Sequence, residues 1–312
     1  MILVISDLRL PISPYLTRML SILIPIYQYD IQALVRELVR QAQNLSVAWE
    51  IICLDDDSDA FWRDRNRSIS QLDGVQYREA GKNLGRSRVR NRLVQMANHP
   101  FVLFMDCDSG VVRSDFLSVY VEELQDNQVL CGGRVYRNYR PEEPLYTLHW
   151  LYGREREEQP AEKRALQPHH AFMTNNFVAP RSVLVRFPFE EALTQYGHED
   201  TLFGQQLSDA GIPVKHLDNP LEHLGLERSD IFLAKAEQAI DNLAFLRKRG
   251  TTIDTRLAST YDDIQRRGFA GLIRWGLSLL RPWFRRNLLS EHPDLRIFDL
   301  YRLEHFLQAM RK

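Results

Sequence analysis

Two carboxylates separated by one residue give this sequence its sharpest chemical signal, in the tripeptide Asp106-Cys107-Asp108. They follow residues 101–105, a run of five apolar side chains that predicts a buried strand. Carboxylates at i and i+2 beyond a strand end can converge on one divalent ion. Hard oxygen ligands suit Mg²⁺ or Mn²⁺, which usually bridge to phosphate oxygens as well. The alternative is a solvated turn that begins with an aspartate.

A second apolar run, residues 47–54, also ends in acids, because Asp55 and Asp56 follow it directly. One carboxylate there can accept a hydrogen bond from a base N–H group, as in the recognition of uracil or guanine. The alternative is a turn in which Ser58 or Asp59 caps a following helix. Because a second predicted strand also ends in carboxylates, the position of the Asp-x-Asp motif at a strand end is harder to attribute to chance.

Four arginines occur within seven residues at the start of a predicted helix over 85–98. Arg86 and Arg90 are i,i+4 neighbours and share a face. That face, together with the helix N-terminus, would attract a pyrophosphate. A solvated basic face is the competing interpretation, and it is the favoured one for Arg86 and Arg92 taken individually.

The pair Glu199-Asp200 precedes an apolar helical segment and follows Gly197. Acids at a helix start can simply complement the helix dipole, above all Glu199. Asp200 can instead act as a general base that deprotonates an acceptor hydroxyl. His223 is a candidate third metal ligand, although a lone histidine more often has a structural role.

Strands and helices must alternate to position these residues. Near-continuously apolar strands are predicted at 20–26, 47–54, 75–77 and 101–105, with amphipathic helices between them. This pattern predicts a parallel α/β sheet covered on both faces, with its acids at the strand ends, where such sheets bind ligands. The second half is less regular: strands are predicted at 129–136 and 172–178, and helices at 199–210, 229–249, 264–281 and 295–311, the last two divided by Pro282 and Pro293.

Composition excludes several classes of protein. The 312 residues are 44% hydrophobic and 26% charged, which is ordinary for a globular chain and excludes disorder and collagen-like structure. Three cysteines without C-x-x-C spacing argue against zinc and a secreted disulfide framework and favour a reducing cytoplasm. No apolar run reaches the roughly 18 residues of a membrane-spanning helix, and prolines and charges in residues 1–20 disfavour a signal peptide.

The C-terminal part is basic, with ten basic and four acidic residues from Ile264 onward. An acidic body with a basic tail does not suit a nucleic-acid binder. A helical projection gathers four arginines in one sector and apolar residues that include Trp275 and Trp283 on the other side. This composition predicts an interfacial helix on an anionic membrane, unless the apolar face packs on the domain or on a second subunit. The arginines of this sector are Arg267, Arg274, Arg281 and Arg285.

Together these residues resemble glycosyltransferase family 2, which has the GT-A fold. Five motifs occur in the family's order over roughly residues 19–225. They are Pro25-Ile26-Tyr27, the set Asp55, Asp56 and Ser58, the helix start Gly85 to Arg90-Asn91, Asp106-Cys107-Asp108, and Glu199-Asp200. The chain departs from the family pattern at Gln28, where asparagine is usual, at Asp57, where glycine is usual, and in the segment 201–205 after Glu199-Asp200.

The resemblance implies a role for each motif. Pro25, Tyr27, Asp55 or Asp56, Arg90 and Asp106 would bind the nucleotide, and Asn175 and Asn176 would line the donor-sugar pocket unless they form a strand-end turn. Asp106, Asp108 and His223 would hold Mn²⁺ or Mg²⁺ against the diphosphate. Asp200, with Glu199 next in line, would be the base of a single displacement that inverts the anomeric centre.

The resemblance also divides the chain. Residues 1–18 would be an extension, 19–226 a GT-A catalytic domain with a nucleotide-binding half to about residue 110, and 227–312 a helical region. The implied enzyme moves a sugar, by family habit from a UDP donor, to a glycan or lipid-linked acceptor in polysaccharide or surface-glycan synthesis, at the cytoplasmic membrane face. Two alternatives remain: a phosphatase of the haloacid dehalogenase type, with Asp106 as nucleophile, and a non-catalytic nucleotide-sugar-binding protein.

Overall fold

The protein is an α/β structure, as the sequence predicts, and a computed structural model describes residues 19–193, 196–251 and 253–311. The predicted extension 1–18 lies outside the described residues. The strands are β1 (Leu20–Ile26), β2 (Trp49–Asp55), β3 (Val75–Glu79), β4 (Phe101–Met105), β5 (Ser109–Val111), β6 (Val129–Cys131), β7 (Arg134–Val135), β8 (Asn176–Pro180), β9 (Val214–His216) and β10 (Leu221–His223).

Seven strands form a central sheet in the order β3-β2-β1-β4-β8-β6-β9, in which β8 runs antiparallel to both of its neighbours. The strands β5, β10 and β7 form a small second sheet. The chain moves from β1 outward through β2 to β3 and then returns to β4 on the other side of β1. The carboxyl ends of β1 and β4 are therefore a topological switch point, where open α/β sheets have their binding crevice.

Helices cover both faces of the sheet and continue as a C-terminal layer. Those up to residue 209 are α1 (Gln32–Ala42), α2 (Ala60–Asn66), α3 (Arg86–Met96), α4 (Phe116–Glu123), α5 (Thr147–Tyr152), α6 (Ala161–Arg164), α7 (Arg181–Arg186) and α8 (Glu199–Asp209). The C-terminal layer consists of α9 (Ser229–Lys248), α10 (Arg256–Arg266), α11 (Ala270–Leu288) and α12 (Leu295–Ala309). Within the described residues, no helix is both long and apolar enough to cross a membrane.

Alternation along the buried strands builds two cores. Ile22 and Ile24 of β1 pack in one cluster with α1 and α4, whereas Leu23 packs on the other face with α3 and α8. Successive strand residues point to opposite faces, so a continuously apolar strand must be covered twice. The C-terminal layer attaches through a further cluster, in which Leu148 of α5 meets Leu233 of α9 and Phe284 of α11.

The strand predicted over residues 129–136 is divided between the two sheets. Gly132 and Gly133 separate β6 from β7, and Gly133 has a φ of +88°, which favours glycine. A Cβ on Gly132 would collide with the backbone carbonyl of Asn219, so the chain can make this corner only with a glycine. The strand predicted at 172–178 is observed later, as β8.

The predicted break at Pro282 is wrong, because α11 continues through that proline to Leu288. Phe284 and Leu288 beyond it are fully buried and hold the last turns against the domain. A loop that contains Gly268 instead divides the predicted helix 264–281, so that its first residues belong to α10.

The expectation that Arg281 faces a membrane is also wrong. Its guanidinium pairs with Glu237 of α9 at 2.5 Å and with Glu304 of α12, whose side chain is fully buried. Apolar residues on the other side of α11 are exposed, among them Trp275 and Trp283. The arginine sector therefore faces the protein at Arg281. Of the apolar sector, Phe284 packs on the domain, whereas Leu272, Trp275, Leu279, Leu280 and Trp283 are exposed.

Candidate active site

A cavity of about 620 Å³ opens at the carboxyl ends of β1 and β4. The strand ends supply Pro25, Tyr27, Asp106 and Asp108 to its wall, and α3 supplies Arg86 and Arg90. This position is the switch point of the sheet, and most of the predicted nucleotide and metal residues meet there, although Asp55 and His223 do not line the cavity. Of the predicted residues, those that line the cavity are Pro25, Tyr27, Asp56, Arg90, Asp106 and Asp108.

Two arginines hold the carboxylate of Asp106. Nη2 of Arg90 lies 2.9 Å from Oδ1, and Nη2 of Arg134 lies 3.3 Å from Oδ2. Arg90 is almost fully buried, and its Nε atom has no hydrogen-bond partner among the described residues. A buried cation with an unused donor, in the wall of a cavity, is well placed to bind a phosphate oxygen.

Asp108 is paired with His223 of β10, whose Nδ1 lies 3.6 Å from its Oδ2. Burial raises the pKa of Asp108, but His223, Arg134 and Arg86 outweigh burial and hold that pKa well below its usual range. Asp108 is therefore a carboxylate at neutral pH. Gly225 backs it closely, because a Cβ at that position would lie 2.8 Å from the Cβ of Asp108 and collide with its carboxylate.

The predicted set of three metal ligands is not assembled. Within the described residues, no group of three or more His, Cys, Asp or Glu side chains could hold an ion, since both oxygens of Asp106 face arginines. A smaller set does fit. His223 is buried with its Nε2 atom unpartnered among the described residues, beside the ionised Asp108. Mg²⁺ or Mn²⁺ bound by one or two protein groups and substrate phosphates requires no more than this.

The two acids after β2 have different surroundings. Asp56 lines the cavity and accepts hydrogen bonds from the backbone N–H groups of Leu84 (2.7 Å) and Gly85 (3.0 Å) at the start of α3. Asp55 is fully buried and accepts from the backbone N–H of Ser58 and from the hydroxyl of Tyr77. Asp55 shapes the turn, and it is not among the residues that line the cavity.

The loop after β1 is fixed by the turn after β2. Gln28 has a φ of +52°, and its backbone N–H donates to the Ser58 hydroxyl at 2.8 Å. Tyr27 is left half exposed on the cavity wall, where a planar base could stack on its ring.

The two candidate donor-sugar residues also differ. The side chain of Asn176 is fully engaged inside the protein, with Tyr120 donating to its Oδ1 and its amide donating to the carbonyls of Gly133 and Asn219. Asn175 has a buried Oδ1 atom without a partner among the described residues. Its backbone carbonyl accepts from the N–H of Asp106 at 3.2 Å. Of the two, Asn175 has hydrogen-bonding capacity to spare.

Glu199 and Asp200 begin α8, and Arg86 connects them to the cavity. Nε of Arg86 lies 3.3 Å from Oε1 of Glu199, and its guanidinium carbon lies 4.6 Å from the centre of the Tyr196 ring. Both Arg86 and Tyr196 line the cavity. Burial, reinforced by the charge of Glu199, raises the pKa of Asp200 to about 6. A carboxyl group with that pKa suits a general base near neutral pH.

Residues without a recognisable motif complete the site. Arg134 joins Asp106 to Glu157, which in turn accepts a hydrogen bond from Tyr136. A strand of two residues around a glycine corner gives no periodic signal, so Arg134 could not have been identified from the sequence.

The cavity wall also includes residues beyond the predicted domain boundary at 226. Glu227, Ile231 and Lys235 line it, the last two from α9. Lys235 pairs with Glu227, and its ammonium lies 5.2 Å from the centre of the Tyr196 ring. The spacing of Ile231 and Lys235 on one helix face was visible, but nothing in the sequence placed that face on the cavity.

This architecture is the GT-A fold of nucleotide-sugar glycosyltransferases, with carboxylates and arginines at the switch point. The chain belongs to glycosyl transferase family 2, whose family model matches residues 21–186. Family membership makes the protein a glycosyltransferase, as the sequence predicts. The phosphatase and the non-catalytic binding protein are thereby set aside, and an Asp106 held by two arginines is also a poor nucleophile.

Several solved glycosyltransferase structures have a similar fold. Staphylococcus aureus TarS 1–349 is 15% identical, with 94% of this chain and 90% of that chain covered at a TM-score of 0.51. Glucosyl-3-phosphoglycerate synthase from Mycobacterium tuberculosis, solved with Mn²⁺, UDP and glucosyl-3-phosphoglycerate, is 18% identical, with 77% and 82% covered at 0.50. The mannosyltransferase PcManGT from Pyrobaculum calidifontis, solved with GDP-Man and Mn²⁺, is 13% identical, with 96% and 87% covered at 0.54. Among curated proteins, none matches the chain significantly.

Proposed function

We propose that this glycosyltransferase moves a sugar from a nucleoside-diphosphate donor to an acceptor hydroxyl with inversion of the anomeric centre. One observation carries the proposal. Arg86 lines the cavity that holds Asp106 and Asp108, and it pairs with Glu199 at 3.3 Å. This contact supports the proposal because it links the cavity wall that would bind the nucleotide to the pair Glu199-Asp200, as a transfer between two bound substrates requires.

The nucleotide would lie across the ends of β1 and β4. Tyr27 and Pro25 would contact the base, with Asp56 at the edge of the same wall and Asp55 behind it. Arg90 would bind the diphosphate through its unused Nε donor. UDP is the proposed carrier of the sugar. The mycobacterial synthase was solved with UDP and PcManGT with GDP-Man, so uracil and guanine are the two bases to compare in a binding test.

Asp108 and His223 would hold Mn²⁺ or Mg²⁺, with Asp106 kept in place beside them by Arg90 and Arg134. When bound, such an ion supplies Lewis-acid stabilisation of the charge that develops on the departing diphosphate. Asn175, whose Oδ1 is unpartnered, would contact the donor sugar.

Asp200 would accept the proton of the acceptor hydroxyl. The hydroxyl oxygen then forms a bond to the anomeric carbon while the bond from that carbon to the diphosphate oxygen breaks. One displacement inverts the centre, so no enzyme nucleophile is needed. Glu199 is held by Arg86 and by the backbone N–H of Gly197. From that position its negative charge would help burial to keep the pKa of Asp200 raised.

The acceptor in this proposal is a glycan or lipid-linked hydroxyl compound, used in polysaccharide or surface-glycan synthesis at the cytoplasmic face of a membrane. The three cysteines are free thiols, which suits that compartment. The acceptor side of the cavity would be formed by Glu227, Ile231 and Lys235, which lie on α9 and the segment before it.

Thermal unfolding with UDP and with GDP, each with Mn²⁺ and with EDTA, tests the nucleotide site. A ligand at a hundredfold excess over its Kd stabilises the fold by about 2.7 kcal/mol. Asp108→Asn should lose the metal-dependent part of the shift. The control Asp57→Asn should keep it, since Asp57 is exposed and lies 3.9 Å from its nearest cation, Arg63. Equal shifts in Mn²⁺ and EDTA would contradict the metal assignment, and a product that retains the donor's anomeric configuration would contradict the inverting mechanism.

A further inference from the structure

Five large apolar side chains of α11 are exposed on one side of the helix, each by 49–65% of its surface. We call them the α11 apolar face: Leu272, Trp275, Leu279, Leu280 and Trp283. Their spacing places them on one stripe. Phe269, just before the helix, is exposed as well. A contiguous apolar patch of this size that includes two tryptophans marks an interaction surface.

The opposite side of α11 attaches the helix to the protein. Phe284 and Leu288 are fully buried there, and Arg281 is held by Glu237 and Glu304. The orientation of α11 is therefore fixed by packing and by ion pairs. The α11 apolar face points away from the domain because the other side is already occupied.

The charge around this face is positive. The sequence has no acidic residue from Ile264 to Ser290. Arg286 follows Leu279 by seven residues and Trp283 by three, which puts a cation on the same side of the helix as the apolar side chains. Within the described part of the chain, an acidic partner within 4.0 Å is lacking for Arg267, Arg274, Arg285, Arg286 and Arg311.

Two of these arginines share a second cavity, of about 440 Å³, between α11 and α12. It is lined by Arg274, Ser278, Gln308 and Arg311. Two unpaired guanidinium groups with a hydroxyl and an amide beside them can bind a phosphate. The cavity lies where α11 meets α12, on the side of α11 opposite the α11 apolar face.

We propose that α11 is an interfacial helix that docks this glycosyltransferase on an anionic lipid surface. The α11 apolar face would enter the boundary between headgroups and acyl chains, with the tryptophans at headgroup level. Arg286, on the same side of α11 as this face, would bind lipid phosphates. A lipid surface accounts for Arg286 and for the exposed tryptophans together, whereas a second apolar protein face would account only for the tryptophans.

Docking would also orient the active site, because α9 belongs to both regions. Ile231 and Lys235 of α9 line the catalytic cavity, while Leu233 packs in one cluster with Phe284 of α11 and Glu237 pairs with Arg281 of α11. A lipid-linked acceptor in that membrane would then reach the catalytic cavity along α9. Only this last step rests on the proposed function, since lipid binding itself does not depend on catalysis.

Co-sedimentation with vesicles tests the proposal, using phosphatidylcholine alone and an equimolar mixture with phosphatidylglycerol. Wild type should bind the mixed vesicles and should show a blue shift of its tryptophan fluorescence. The double variant Trp275→Ser/Trp283→Ser should lose binding by more than about tenfold, and Arg286→Glu should weaken it. The matched control Leu166→Ser/Val185→Ser, which removes two exposed apolar side chains elsewhere, should bind as wild type does.

Equal binding by wild type and the tryptophan double variant would overturn the proposal. A second pair of results would also overturn it: wild type does not bind the mixed vesicles, and it is a dimer that the tryptophan double variant converts to a monomer. The α11 apolar face would then be a contact between two copies of the chain. The two proposals are separable: Asp200→Asn should still bind vesicles, and the tryptophan variant should still transfer sugar to a water-soluble acceptor analogue.

Discussion

The Nη2 atom of Arg134 lies 3.3 Å from Oδ2 of Asp106, so the first acid of the Asp-x-Asp motif is held by an arginine from a different sheet. Arg134 belongs to β7, and Asp106 follows β4 of the central sheet. The same arginine contacts Glu157 at 3.0 Å. Asp106 is therefore fixed before any substrate arrives, and Asp108 is the acid left to face an incoming cation.

Arg134→Met should lower the metal concentration needed for half-maximal transfer by about tenfold, because the variant removes a cation beside the site and frees Oδ2 of Asp106 to join Asp108 as a metal ligand. Arg134→Lys should stay closer to wild type, since its ammonium keeps the charge although it can reach only one of the two acids at a time. Metal titrations of activity measure this effect. Arg92→Met, an exposed arginine on α3, is the control, and an equal shift in that variant would refute the assignment.

Gly225→Ala should weaken Mn²⁺-dependent nucleotide binding by about tenfold or more, which corresponds to roughly 1.4 kcal/mol. The new methyl group would collide with the Asp108 carboxylate and turn it away from His223. Calorimetric titration with UDP and Mn²⁺ would measure the loss. Gly271→Ala adds the same atom at a position with no neighbour within 4 Å and should leave binding unchanged.

Asp200→Asn should lower kcat by about 10²- to 10⁴-fold, as expected for loss of a general base, while nucleotide affinity stays near that of wild type. The wild-type rate should also fall tenfold per pH unit below about pH 6. Burial raises the pKa of Asp200 to about 6, and only its ionised form can accept a proton.

A kcat reduced less than about tenfold in Asp200→Asn would move the base to another group, and Glu199→Gln would then be the variant to test. A pH profile that stays flat down to pH 4.5 would contradict the role of Asp200 on its own.

Arg281→Met should reduce the free energy of unfolding by roughly 2–4 kcal/mol, since Glu304 would keep its charge in a fully buried position without its cation. The value lies at the low end of the range for broken buried pairs because Arg281 is itself partly exposed. Arg266→Met removes an exposed pair with Asp263 and should cost less than about 1 kcal/mol. Urea unfolding of both variants compares them, and equal midpoints would show that the Glu304 pair is not stabilising.

The strands around the switch point could be predicted closely because their signal is local. Residues 20–26 are apolar except for Ser21, and residues 101–105 are apolar throughout and are followed by Asp106; the observed β1 and β4 have those limits. Because β2 and β4 both run parallel to β1, the acids at their carboxyl ends lie at the same edge of the sheet. The same reasoning failed where tertiary contacts decide: Gly132 turns a predicted strand between two sheets, and Phe284 keeps α11 helical beyond Pro282.

The surroundings of individual side chains were beyond the reach of the sequence. Asp55 and Asp56 are adjacent and alike in type, yet only Asp56 lines the cavity, because the alternation along β2 sends neighbouring side chains to different sides. Arg281 belonged by periodicity to a sector of solvated arginines. Its partners, Glu237 and Glu304, lie on two other helices, and no pattern in the sequence links either of them to Arg281.

The continuity of α9 has a consequence for how this enzyme could diversify. The helix that contributes Ile231 and Lys235 to the cavity also contacts α11 through Leu233 and Glu237. A chimera that exchanged everything after residue 226 with a relative would replace part of the cavity wall along with the outer helices. Acceptor specificity and membrane attachment would then be exchanged together, and selection on either property would alter the other.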